Sequence, residues 1–312
     1  MGAVLCLVSA ACFGAMAIFG KLAYDAGVPT GTLLLVRFAL AAALLGLVLL
    51  ARPELRRPGA RGRILLTALG LGAVGYALQA GLFFAALQRM DASLLSLILY
   101  TYPVLVTVAA VALGRDRLTR RRVVALVAAS AGTLLVLLGA GGITFDPAGA
   151  LLAFGAAVVY TGYILVADTV VHRVAPVVLS ALVMTGAAGA FGARAALTGG
   201  IGTGFAPRGW FWLACIAVVS TVVAMLTFFA GLQRIGPSAA AILSTLEPVV
   251  TTALAALVLG ESLSAAQLAG GVLVLGSVAV IQSRPREGER LRRRGTRPSR
   301  ADAAVPGGPA TR

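Results

Sequence analysis

Acidic residues are scarce: 11 Asp and Glu in 312 residues, with one histidine. Charged residues of both signs make up 12% of the chain, about half the share in an ordinary soluble domain. A soluble surface that poor in charge would expose more apolar area than water tolerates. Cysteine is rare as well. Cys6, Cys12 and Cys215 all lie in apolar runs, with no CxxC pair and no Cys/His cluster. That excludes a disulfide scaffold and a structural zinc or iron–sulfur site. There is no GxxxxGK[ST] run, so the chain carries no P-loop ATPase. There is no GxSxG motif and no cluster of acids within an apolar run, so an intramembrane enzyme is the least supported class. No cofactor and no metal are expected.

What the chain has in excess is oil: 59% hydrophobic residues and a mean hydropathy of +0.96. A helix needs about 20 apolar residues to cross about 30 Å of hydrocarbon. Ten stretches qualify, at 3–20, 32–50, 64–86, 92–113, 123–140, 149–167, 177–197, 210–231, 238–259 and 267–282. They are apolar all round, whereas the strands of a membrane barrel alternate. The apolar run starts at Met1 without a separate cleavage site, so no signal peptide is expected. The expected fold class is all-α integral membrane with ten transmembrane helices.

The net charge of +15 has a topological reading. Basic residues collect on the cytoplasmic side of a membrane protein. With the N-terminus inside, the loops at 51–63 and 114–122, Arg173, Arg234 and the tail from Ser283 place 21 basic residues on one side. Lys21, Arg89, Arg194 and Arg208 stand on the other, and Arg37 lies inside the second stretch. Both termini are therefore expected in the cytoplasm. Nucleic acid is not an expected partner. The tail 283–312, with Arg292-Arg293-Arg294 and four prolines, reads as a disordered anchor or an attractor of anionic lipid.

The two halves resemble each other. At an offset of 145, Phe83-Phe84-Ala85-Ala86-Leu87-Gln88-Arg89 falls on Phe228-Phe229-Ala230-Gly231-Leu232-Gln233-Arg234. Ser93 then meets Ser238, Pro103 meets Pro248, Thr107 meets Thr252 and Asp116 meets Glu261; an offset of 147 pairs Pro29 with Pro176. Five helices per copy is an odd number, so the second copy inserts upside down. Inverted repeats are the architecture by which secondary transporters alternate access around a central site. The expected units are a first repeat at 1–140, an inverted second repeat at 149–282 and the tail.

These residues resemble the EamA branch of the drug/metabolite transporter superfamily. The second copy carries Gly231-Leu232-Gln233-Arg234-Ile235-Gly236-Pro237-Ser238, then Leu246-Glu247-Pro248-Val249 and Leu259-Gly260-Glu261. The first carries Val36-Arg37-Phe38, Tyr102-Pro103-Val104 and a degraded Leu113-Gly114-Arg115-Asp116. The resemblance covers residues 1–282. It implies an inner-membrane exporter with cytoplasmic termini, and it implies a site role for the Arg at position 37.

Glu247 is the main candidate for transport chemistry, about ten residues into the ninth stretch. A carboxylate at that depth is costly unless it faces a cavity, finds a partner or takes a proton. It reads either as a proton-coupling group or as a packing group. Its repeat mate is Tyr102. Pro103 and Pro248 each remove an N–H mid-stretch and are expected to kink their helices, with Ser244 and Thr245 among the hydroxyls beside one kink. Arg37 either snorkels outward, holds an anionic group or pairs with Glu247. Tyr76, Gln79, Tyr160 and Tyr163, with Thr161, Thr221 and Thr227, either line the cavity or hold helices together. Ala128 with Gly132, and Ala266 with Gly270, permit close helix contact.

The function this supports is secondary-active export of a small neutral, zwitterionic or amphipathic solute, an amino acid included. Protons are the expected coupling ion and lipids the expected surroundings. A lipid-linked substrate flippase or a channel-like facilitator is the alternative. One chain holds both repeats, so a monomer suffices and a dimer is not excluded.

Overall fold

A computed structural model describes residues 1–55, 62–87, 89, 95, 98–138, 146–259 and 263–282. The tail 283–312, Arg56, Arg57, Arg61, Gln88, Ser93 and Glu261 lie outside them. The described residues form helices and no strand. In chain order these are α1 (Gly2–Asp25), α2 (Thr30–Ala51), α3 (Gly62–Gly70, Leu71–Tyr76 and Ala77–Leu87), α4 (Tyr102–Ala112) and α5 (Arg120–Leu138). There follow α6 (Pro147–Val171), α7 (Pro176–Leu197), α8 (Arg208–Ala217, Val218–Val223 and Ala224–Ile235), α9 (Pro237–Ser244 and Leu246–Leu259) and α10 (Ala265–Gln282). Eight of the ten are long and apolar enough to cross a bilayer; α4 and α10 are shorter apolar helices. Each expected stretch coincides with one helix. The residues before α4 are the exception, since much of 92–97 is outside the description.

Local chemistry sets the helix ends. Asp146 caps α6, its carboxylate accepting from the N–H groups of Ala148 and Gly149, with Pro147 at the first position. Pro29 and Pro176 stand at the starts of α2 and α7. A single residue, Gly236, joins α8 to α9 at φ 79° and ψ 171°, a region reserved for glycine. Gln233, from the repeated Leu-Gln-Arg motif, donates its amide to the Val171 carbonyl at the end of α6, 2.7 Å away.

The main helix pairs run between the halves. α2 packs on α7, α1 on α8 and α9, α3 on α6 and α7, α4 on α6 and α9, and α2 on α8. α5 lies against α10. Exchanging α1 with α6, α2 with α7 and so on maps this pattern onto itself. α1·α8 becomes α6·α3, α1·α9 becomes α6·α4, and α2·α7, α4·α9 and α5·α10 map to themselves. Two intertwined five-helix repeats of opposite orientation give this arrangement.

Backbone contact at glycine holds several crossings. A Cβ on Gly72 (α3) would stand 1.9 Å from the Val183 carbonyl oxygen (α7), and one on Gly186 (α7) 2.2 Å from the Leu69 carbonyl oxygen. Gly132 and Gly270 meet reciprocally, each against the other's carbonyl, as their small-residue spacing predicts.

The repeat extends to an irregularity invisible in composition. Both α3 and α8 contain a six-residue π-helical turn, Leu71–Tyr76 and Val218–Val223, 147 residues apart. Such turns are rare and gather at functional sites.

A side chain at Gly72 should therefore separate α3 from α7. We expect Gly72→Ala to lower stability by about 1–3 kcal/mol. Gly81→Ala on the same helix, where an added Cβ meets nothing within 4 Å, should be neutral or slightly stabilising. Equal thermal midpoints for the two variants would contradict this packing.

Candidate functional site

The two expected kinks are breaks. α9 stops at Ser244 and restarts at Leu246, two residues before Pro248. α4 begins at Tyr102 with Pro103 in its first turn, after a turn at Tyr100 and Thr101. Hydroxyls close the gaps: Thr101 donates to the Ile98 carbonyl and Thr245 to the Ile242 carbonyl, both at 2.7 Å. Ser244 donates to the Ala240 carbonyl and Thr107 to that of Pro103. Proline's missing N–H is harmless in a first turn, and this is why the chain breaks there instead of bending later.

The breaks meet across the repeats. α4 packs on the first segment of α9, with Tyr102 and Ser244 both buried. Glu247 lies in the first turn of the second segment of α9, where the exposed N–H groups of a helix start favour a negative charge. Tyr100 lies near its carboxylate. α1 crosses at this point: a Cβ on Gly14 would stand 2.8 Å from the Glu247 carbonyl oxygen, and Thr251 donates to the Gly14 carbonyl at 2.9 Å.

From there an aromatic chain leads outward. Tyr100 and Tyr102 have ring centroids 5.9 Å apart, Tyr102 and Tyr160 4.8 Å, Tyr160 and Tyr163 5.9 Å, and Tyr163 and Tyr76 5.5 Å. Five of the six tyrosines in the chain thus form one run linking α4, α6 and α3. Tyr76 ends the π-turn of α3.

Arg37 closes the far end. It is 5% exposed, which overturns the snorkelling reading: α2 turns it inward, where lipid-facing extension is blocked. It donates to the Met16 sulfur at 2.9 Å and to the Tyr76 hydroxyl at 3.4 Å, and its guanidinium lies 4.4 Å over the Phe38 ring. The pairing with Glu247 is not made among the described residues: the oxygen that Arg37 reaches is the Tyr76 hydroxyl. Among the described residues the Nε of Arg37 and the hydroxyl of Tyr163 have no hydrogen-bond partner.

Tyr76, Tyr102, Tyr160, Tyr163, Arg37, Glu247, Ser244, Pro103 and Pro248 are thus brought together. Gln79 is not: it is half-buried on α3, beyond Tyr76 and outside these contacts. Thr245 caps its own chain break. Thr161, Thr221 and Thr227 donate to carbonyls of their own helices, so their hydroxyls serve the backbone. Two participants escaped the reading of the sequence as site groups. Tyr100 stands three residues before Pro103 in a Tyr-Thr-Tyr-Pro run, a signal that was legible. Met16 as a sulfur acceptor had none.

Comparison with known proteins agrees with this architecture. The EamA-like transporter family model matches twice, over residues 1–138 and 147–283. The chain belongs to the EamA-like transporter family. That family is part of the drug/metabolite transporter superfamily, and the chain is a multi-pass membrane transporter of this type. It is 30% identical over 278 residues to a Bacillus subtilis protein named Uncharacterized transporter YcbK, covering 86% of this chain and 88% of that one. It is 29% identical over 171 residues to Uncharacterized transporter YwfM of the same organism, covering 53% and 55%. A crystal structure at 21% identity superposes with a TM-score of 0.76 over 95% of this chain and 99% of its own, which supports the fold.

Removing the Tyr76 hydroxyl takes away Arg37's oxygen partner. Tyr76→Phe should cost about 1.5 kcal/mol, the low end for a hydrogen bond to a charged group, since the bond is long. Tyr163→Phe deletes an unpartnered buried hydroxyl and should be neutral or stabilising. Thermal melting of the two variants side by side checks the contrast.

Proposed function

We propose that the protein is a secondary-active exporter of a small neutral, zwitterionic or amphipathic metabolite, working by alternating access across a bacterial inner membrane with both termini cytoplasmic. The halves 1–140 and 149–282 are the moving bodies. The observation that carries this reading is the exchange-symmetric packing of the halves around the point where both broken helices meet. Near-equivalent halves can swap conformations and move an opening from one face to the other around a fixed site.

In this reading Glu247 is the coupling group and takes a proton from outside as solute leaves. An acid inside a membrane bundle is functional by default, and this one stands half-buried in the first turn of its helix segment. Arg37 and the tyrosine run form the solute-facing wall. The unbonded Arg37 Nε and Tyr163 hydroxyl supply donors for a solute, with aromatic faces between them.

Metabolite profiles of the medium from overexpressing and deletion strains identify the cargo as a solute that rises in one and falls in the other. In proteoliposomes, Glu247→Gln should abolish accumulation driven by a pH gradient and leave solute exchange without a gradient intact. Unchanged pH-driven accumulation would overturn the coupling role. Loss of Tyr163's hydroxyl should raise KM with little change in thermal midpoint.

A further inference from the structure

At the end of the bundle that holds residue 3 lies a cavity of about 630 Å³, and no tyrosine lines it. α1, the end of α8, the start of α9, the end of α10 and the link between α4 and α5 enclose it. Four arginines line it: Arg115, Arg117, Arg121 and Arg122. The single acid there, Asp116, is ion-paired with Arg122 and also accepts from the Arg117 N–H. Among the described residues Arg117 and Arg121 are in no ion pair, while Arg115 lies near the Asp168 carboxylate.

Two of those three are held in place by neutral groups. Arg115 donates to the Leu165 carbonyl at the α6 side, 2.6 Å away. Arg121 donates to the Val280 and Ile281 carbonyls near the end of α10. These bonds occupy one edge of each guanidinium and fix its orientation, and in Arg121 they leave the net charge in place. A guanidinium has five N–H donors, so each keeps a free edge. Arginines fixed beforehand lose little freedom when they clamp an anion, and their fork matches phosphate oxygens. The rest of the wall is apolar, with Ala3, Ile235, Ala239 and Ile281.

We propose that this cavity is a binding site for the phosphodiester headgroup of an anionic phospholipid from the leaflet at that face. The clamp takes the phosphate, and the apolar wall takes the glycerol and the first methylenes. A free phosphate would use the arginines and leave the wall idle. The site is separate from the transport centre, and its test needs no transport measurement.

The test uses the full-length protein, with thermal midpoints and lipid retention measured in phosphatidylcholine vesicles with and without phosphatidylglycerol. Phosphatidylglycerol should raise the midpoint and be retained through purification. Arg117→Gln, which removes a side chain with no described bond, should weaken retention about fivefold, the effect of one basic residue near a charged surface. Arg121→Lys keeps the charge but loses the fork, and should weaken it too. Arg63→Gln, on the exposed start of α3 and outside the cavity, should leave retention intact. Equal loss in Arg63→Gln would mean general surface attraction and overturn the proposal. So would no difference between the two lipids. A full midpoint rise with inorganic phosphate or glycerol phosphate alone would assign the site to a soluble anion and overturn the lipid source.

Discussion

A peptide group in hydrocarbon has no water to bond, so every N–H and C=O within the bilayer must find its partner inside the protein. That requirement explains the ten helices, and it also governs where the helices may fail. α4 and α9 break, and α8 widens into a π-turn, where hydroxyls are at hand to take up the freed groups. Ser220, Thr221, Ser244 and Thr245 are all buried. In α8 the Thr221 hydroxyl donates to the Ile216 carbonyl five residues back, within the stretch that the π-turn loosens. Side-chain hydroxyls stand in for lost ladder bonds, and irregular backbone becomes tolerable.

The same centre is where the two halves differ. Their backbones repeat closely: the π-turns recur at an offset of 147 and the prolines at 145. Their chemistry does not repeat. Glu247 has Tyr102 as its mate, and at the offset of 147 Arg37 has Met184 and Tyr163 has Met16. Glu247 and Arg37 are therefore each present once. A second acid and a second guanidinium in the same volume would each carry a desolvation cost, which only solvent, a partner or a proton relieves. One copy of each suffices if the backbone symmetry supplies the motion and the side chains supply recognition.

Much of this architecture was legible in the chain. Apolar runs report spans because burial in lipid demands them, and the Phe-Phe-Ala…Leu-Gln-Arg segment reports the repeat because it recurs at a single offset. Pro103 and Pro248 marked the irregular points, since a missing N–H cannot be hidden. The direction of Arg37 was not legible. Snorkelling and inward burial differ by the rotation of α2, which packing on α7 settles through Phe38 stacked on Phe191 at 5.5 Å. The convergence of the tyrosines depends likewise on how α3, α4 and α6 rotate. The π-turns left no compositional trace, since Leu-Gly-Ala-Val-Gly-Tyr and Val-Val-Ser-Thr-Val-Val share little.

The separation of Arg37 from Glu247 has its own logic. Two opposite charges in contact would satisfy each other and leave a solute little to gain. Each charge is left near weak or neutral partners: a sulfur, a long hydroxyl bond and a ring face for Arg37, and the nearby Tyr100 phenol for Glu247. Such partners are enough to hold the charges in the membrane and cheap to exchange. A bound solute can then replace them without breaking an ion pair first. On the transport reading, this lets one site bind firmly enough to select and loosely enough to release.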